Sequence, residues 1–190
     1  IGAAIFDSEG NLLARGRNQI KDDGSGSGVV RHNKLAHAEL NALLQIDPGS
    51  QRFTYILYTL VEPCPLCFGA FFMSGLRQLH YAARDPYAGS TNLLNTTPYL
   101  SSKPIQIHPP SHAALELLVI AMNYEQTVFC NPKWFWPQSF FETWKIALPE
   151  ATALGESLLQ SGMLRSLRER GASAEAMVQA VSQQIDLLNP

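Results

Sequence analysis

One imidazole and two thiols, far apart along the chain, restrict what this sequence can fold into more than any other feature. His37-Ala38-Glu39 is followed further on by Pro63-Cys64-Pro65-Leu66-Cys67. The three side chains His37, Cys64 and Cys67 form a ligand set that can hold Zn²⁺ and leave a fourth position open for water. A fold that uses the set must bring residue 37 against residues 64–67. The Glu39 carboxylate follows the His closely enough to work on such a water without binding the metal. A lone Cys-x-x-Cys is a weak signal, whereas the two motifs in this order are a strong one.

Local sequence places the ligands at helix starts. Apolar residues Leu35, Ala36, Leu40, Leu43 and Leu44 recur at helical spacing, predicting a helix over 35–46 that stops at Asp47-Pro48-Gly49. His37 and Glu39 then fall in its first turn. Pro63 and Pro65 suit the start of a second helix, because proline in the first turn forfeits no needed hydrogen bond; that helix is expected to run to about Ser74-Gly75. Helix N-termini carry partial positive charge, which favours thiolate over thiol. The i, i+3 spacing of Cys64 and Cys67 puts both sulfurs on one face.

Around these helices the pattern is strand-rich. Ile1–Phe6 and Leu12–Arg17 flank Asp7-Ser8-Glu9-Gly10-Asn11 and read as a hairpin. Residues 53–60, 78–83 and 104–108 read as strands, and Ser111 to about Asn123 as a helix. This alternation implies a mixed sheet with helices on both faces. Gly24–Gly28 reads as a flexible loop. Beyond Phe129 the character changes: Trp134-Phe135-Trp136-Pro137 precedes helical stretches near 139–147, 150–170 and 174–188. The expected organisation is a zinc domain over 1–125, with an aromatic-rich segment and helical extension over 126–190 packed on it.

Composition excludes several classes. Hydrophobic residues make up 46% of the 190 and charged residues only 16%, against about 25% charged in an average protein. That balance describes a globular chain with a large buried or subunit-facing surface. No apolar run approaches the ~18 residues needed to cross a bilayer, and a net charge of −2 advertises no polyanionic partner. Two of the three Cys lie in the Cys-x-x-Cys, so the sulfurs are no disulfide framework and point to a reducing, cytoplasmic compartment. Cys130 is expected to be a buried or idle thiol.

With these residues in view, the chain resembles the cytidine/deoxycytidylate deaminase-like superfamily of zinc deaminases, in its tRNA adenosine deaminase and guanine deaminase branch. The similarity runs from Ile1 to about Asn123. Besides the zinc motifs it includes Ile1–Ile5, Gly16-Arg17-Asn18, Thr59 to Ala70 and Ala83–Gly89. The resemblance implies an α/β fold, a three-layer α/β/α sandwich with a five-stranded mixed sheet, here followed by a C-terminal helical extension. It implies zinc ligands at His37, Cys64 and Cys67, a proton shuttle at Glu39, and substrate contacts at Asn18, through its side-chain amide, and at Ala38. It further implies assembly as a homodimer. The activity implied is hydrolytic deamination of a nucleobase, nucleoside or related amino-heterocycle, with ammonia released through a zinc-activated water. A tRNA adenosine is the alternative substrate, disfavoured by the net charge.

Plainer readings stand beside these. The metal can be a closed knot stapling two helices in a non-catalytic scaffold, which requires a fourth ligand from Cys130, His32, His80, His108 or His112. Glu62 needs no role beyond favouring the N-terminus of the Cys helix. Arg84 and Asp85 suggest an ion pair shaping the following loop, His80 a packed side chain, and His32 a loop residue near the site. The aromatic group Trp134, Phe135, Trp136, Phe140, Phe141 and Trp144 reads as packing. Arg165, Arg168 and Arg170, with Glu169 among them, read as a solvated helix face.

Overall fold

A computed structural model describes every residue except 23–28, 48, 50–51, 131–136 and 189–190. The chain divides into two compact units, Ile1–Ser111 and His112–Pro190.

The first unit is built on a hairpin, β1 (Gly2–Phe6) and β2 (Leu12–Arg17), whose turn is closed by Asp7. The Asp7 carboxylate accepts from the amides of Glu9 (2.9 Å) and Asn11 (2.8 Å), and Gly10 takes the positive φ the turn demands. Three more strands follow: β3 (Ile56–Val61), β4 (Gln78–Ala83) and β5 (Gln106–His108). The sheet order is β2-β1-β3-β4-β5, antiparallel across β1 and parallel from β3 to β5. The expected five-stranded mixed sheet is therefore the observed one. Its last strand is shorter than the 104–108 run anticipated.

Two helices cross between the strands. α1 (Ala38–Leu43) joins the hairpin to β3, and α2 (Pro65–Ser74) joins β3 to β4. Both lie on one face of the sheet and share one core. Ala3, Ile5, Leu57 and Leu79 from the strands meet Ala38, Ala42, Leu43, Phe68 and Phe71 from the helices. Period-2 alternation does the sorting. In β3, Leu57, Thr59 and Val61 turn to the helices and are buried, while Tyr58 and Leu60 turn away and are exposed. On that second face Tyr58 stacks on His80, and His80 on His108, so His80 is packed as expected.

Two local outcomes matter for the site. The helix expected over 35–46 is only Ala38–Leu43, because Leu35 and Leu44 are both exposed and supply no packing to extend it. His37 is thus the N-cap, not a first-turn residue. α2 ends as anticipated, with Gly75 in the left-handed conformation (φ 96°) that only glycine adopts cheaply.

The second unit is helical: α3 (Ala113–Cys130), α4 (Gln138–Ala147), α5 (Pro149–Ser161), α6 (Met163–Glu169) and α7 (Ala174–Leu188). α3 outruns its expected end at Asn123, and the single helix expected over 150–170 is broken at Gly162, again left-handed (φ 65°). A Cβ on Gly155 of α5 would sit 2.9 Å from the Ala121 carbonyl and the Tyr124 ring of α3, so this pair packs backbone to backbone. Phe140 and Trp144 are buried here, with ring centroids 5.1 Å apart, as a packing role requires. Trp134, Phe135 and Trp136 lie outside the described residues, as does the Gly24–Gly28 loop.

A further expectation fails in this unit. Arg168 is not part of a solvated face: its guanidinium grips both oxygens of Glu125, which is only 1% exposed. A carboxylate so deeply buried needs a paired cation, and Arg165 and Arg168 both lie over the Phe129 ring. No described helix is long and apolar enough to cross a membrane.

The packing of α1 on β2 is testable. A Cβ on Gly16 would overlap the Ala38 carbonyl oxygen and approach the Ala42 nitrogen to 2.6 Å, and backbone cannot swing aside. Gly16→Ala should destabilise the fold by about 1–3 kcal/mol, seen as a lower urea midpoint. Gly69→Ala, where a Cβ meets nothing within 4 Å, should stabilise it by about 0.5–1 kcal/mol.

Candidate metal centre

Each candidate ligand stands at a helix start. His37 caps α1 and Cys64 caps α2, both with extended backbone, and Cys67 lies one turn into α2. Because both helices start beside β3 in a shared core, their N-termini converge. The ligand atoms of His37, Cys64 and Cys67 all lie within 4.8 Å of one another. His37 Nδ1 is 3.5 Å from Cys64 Sγ and 3.4 Å from Cys67 Sγ. A tetrahedral zinc with Zn–S of ~2.3 Å and Zn–N of ~2.0–2.1 Å places nitrogen and sulfur about 3.5–3.6 Å apart, so the residues fit this ion.

The Cys67 thiol donates to Cys64 and holds the Cys64 thiol far below its usual range, an effect His37 reinforces. The same hydrogen bond, together with burial, pushes Cys67 up. Hydrogen bonding to Cys64 raises His37. Thiolate character is thus already concentrated on one ligand, at the positive end of α2.

Glu39 is in the same place but is not one of the cluster. Among the described residues, that cluster consists of His37, Cys64 and Cys67. The carboxylate is 5% exposed and within hydrogen-bonding reach of Cys67, and burial pushes its pKa up. Thr59 of β3 donates its hydroxyl to Glu39 Oε1 at 3.3 Å, from a side chain that is itself buried. Sequence reading missed this partner, although period 2 along β3 places Thr59 on the helix-facing side.

Ala38 is buried, its carbonyl against Gly16. Asn18 is half-buried just beyond β2, and its Oδ1 accepts from the Ile20 amide at 3.1 Å, leaving the amide nitrogen as a donor. Asn41, another residue the sequence did not single out, ties this turn to α1. It is fully buried, donates to the Arg17 carbonyl and to Gln19 Oε1 (3.2 Å each), and accepts from the Val30 amide at 2.8 Å. His32 is exposed with φ 47°.

The comparisons agree with this geometry. Residues 1–83 match the cytidine and deoxycytidylate deaminase zinc-binding region. The chain is 33% identical over 93 residues to a tRNA(Ile)-lysidine synthase of Deinococcus radiodurans, covering 47% of this chain and 15% of that protein. It is 30% identical over 83 residues to the guanine deaminase of Bacillus subtilis (42% and 48% covered). To the tRNA-specific adenosine deaminase of Haemophilus influenzae it is 29% identical over 93 residues (47% and 49%). The chain thus spans about half the length, or less, of these relatives. Among solved structures, a variant of NE0047 in complex with 8-azaguanine aligns with a TM-score of 0.50 at 27% identity, covering 68% of this chain and 73% of that one.

A thiol must lose its proton to bind zinc. Zinc titration by calorimetry at pH 7, in buffers of differing ionisation enthalpy, should show release of roughly one to two protons per ion, from Cys67 and from whatever fraction of His37 is charged. Cys67→Ala should reduce that number and weaken binding.

Proposed function

We propose, from the match of residues 1–83 to the cytidine and deoxycytidylate deaminase zinc-binding region, that this protein is a zinc-dependent hydrolytic deaminase of a nucleobase, nucleoside or related amino-heterocycle. One observation carries the reading. A three-ligand cluster that fits zinc lies beside a buried carboxylate that is not part of the cluster. A purely structural zinc site usually has four protein ligands and has no use for that carboxylate.

His37, Cys64 and Cys67 would hold the ion, which supplies a water acidified towards neutral pH when bound. The remaining chemistry belongs to the chain. Replacing an exocyclic amine by oxygen consumes one water and releases one ammonia. The proton taken from the water must reach the ring nitrogen and then the departing amine. Glu39 is built for that transfer. Burial raises its pKa toward the working pH, so it both accepts and returns a proton. The Thr59 hydroxyl, bonded to Oε1, limits rotation of the carboxylate. Asn18 offers an amide nitrogen to a ring acceptor, and Ala38 lies between the ligand His37 and Glu39 as a backbone contact. Burial of Glu39, Thr59 and Cys67 keeps bulk water from competing.

The relatives named above include one acting on guanine and one acting on tRNA adenosine, at nearly equal identity. A net charge of −2 favours the small substrate over the polyanion.

Ammonia release from a panel of bases, nucleosides and an anticodon stem-loop tests the reading. Zinc-loaded protein should turn over at least one small heterocycle; no release from any member would contradict it. Glu39→Gln should keep one zinc per chain while the rate falls by roughly 10²–10⁴. Thr59→Val removes a donor that favours the ionised carboxylate. Glu39 should then titrate at higher pH, and the acid limb of the rate profile should move up with it.

A further inference from the structure

Between β3 and Cys64 stands Glu62, a half-buried carboxylate that is neither ligand nor proton shuttle. Its oxygens are nevertheless engaged. Oε1 accepts from the Thr91 amide (3.2 Å) and the Thr91 hydroxyl (2.5 Å), and Oε2 faces the Asp85 amide at 3.4 Å. The donors come from the two ends of one loop, 85–91. That loop is rigid by its own bonds as well. Asp85 Oδ1 accepts from the amides of Tyr87 and Ala88 at 3.0 Å each, and Gly89 donates to the Asp85 carbonyl at 2.9 Å. It is also fastened to the metal turn, since the buried Ser90 donates its amide to the Pro63 carbonyl at 3.0 Å. Pro63 immediately precedes the ligand Cys64. At the centre is Gly89, where a Cβ would lie 2.5 Å from the Glu62 carboxylate and from the Asp85 carbonyl. Nothing larger than glycine lets the loop close on this carboxylate.

We propose that Glu62 is a positioning residue of the metal centre: its carboxylate clamps the Asp85–Thr91 loop onto the Pro63–Cys64 turn and thereby fixes the backbone that presents the Cys64 ligand. The assignment rests on reading His37, Cys64 and Cys67 as the zinc site, and it goes further by adding an outer shell to it. A carboxylate that accepts several hydrogen bonds from one loop restrains that loop as a unit. A ligand whose backbone is restrained dissociates more slowly, which is why outer-shell substitutions at metal sites typically cost ~10–100-fold in metal affinity. Glu62 touches neither ion nor substrate in this scheme, so its loss should act through Cys64 and the loop.

The test compares zinc-loaded full-length protein with Glu62→Ala, Glu62→Gln and Gly89→Ala, using two readouts that need no turnover. These are zinc release to a chromophoric chelator and amide hydrogen exchange over residues 85–91. Glu62→Ala should release zinc ~10–100-fold faster and lose protection at Asp85 and Thr91, with exchange in β1 and β3 unchanged. Glu62→Gln keeps an acceptor for Thr91 and should recover most of both. Gly89→Ala, which drives the loop off an intact carboxylate, should reproduce Glu62→Ala, and it carries the test if Glu62→Ala does not fold. Zinc release at the wild-type rate from Glu62→Ala or Gly89→Ala overturns the proposal, whether or not the loop opens. Failure of the deaminase reading is a separate result: wild-type protein that binds zinc yet frees no ammonia, while zinc release still follows Glu62.

Discussion

Two helix starts must meet, and the first unit of this protein is organised around that requirement. His37 Nδ1 lies 3.4–3.5 Å from two sulfurs that are 27 and 30 residues further along the chain. Such proximity is not a local property. It follows because α1 and α2 flank β3 in sequence, lie on the same face of the sheet, and bury Ala42, Phe68 and Phe71 in one core. Gly16 permits α1 to sit directly on β2, and Asn41 bonds α1 to the turn after that strand. The ligand cluster inherits its precision from this packing, since side chains presented by rigid elements are held more tightly than those on loops.

Chemistry then follows from burial. A carboxylate taken out of water prefers its protonated form, and that cost becomes useful when the group must give a proton back. Glu39 is buried in this way, with the Thr59 hydroxyl bonded to Oε1. Of the two sulfurs, Cys64 behaves in the opposite way. Hydrogen bonding to Cys67 and His37 pushes the Cys64 thiol down, while the bond to Cys64 and burial push Cys67 up. One small volume thus holds a carboxyl and a thiol pushed up beside a thiol pushed down.

Much of this is legible in the sequence. The ligand spacing, the hairpin around Asp7, the prolines opening α2 and the glycine closing it are all local signals, and each matches the structure in place. What escaped notice depends on tertiary neighbours. Leu35 and Leu44 share the helical period of α1 but face solvent, so the helix is shorter than its pattern. Gly162 sits inside an amphipathic run, and only its left-handed backbone shows that two helices meet there. Thr59 looked like an ordinary strand residue, Glu62 like a helix-start acid and Arg168 like surface. Their partners Glu39, Thr91 and Glu125 lie 20, 29 and 43 residues away, beyond the reach of any periodicity.

The central claim is a divalent ion held by one nitrogen and two sulfurs, with one position left to solvent. X-ray absorption at the zinc edge of the loaded protein measures that directly. The account predicts a first shell of two sulfur scatterers near ~2.3 Å and two light scatterers near ~2.0–2.1 Å, one of the latter an imidazole and the other exchangeable with added ligand. A shell in which all four donors come from side chains, or one lacking both sulfurs, would contradict it.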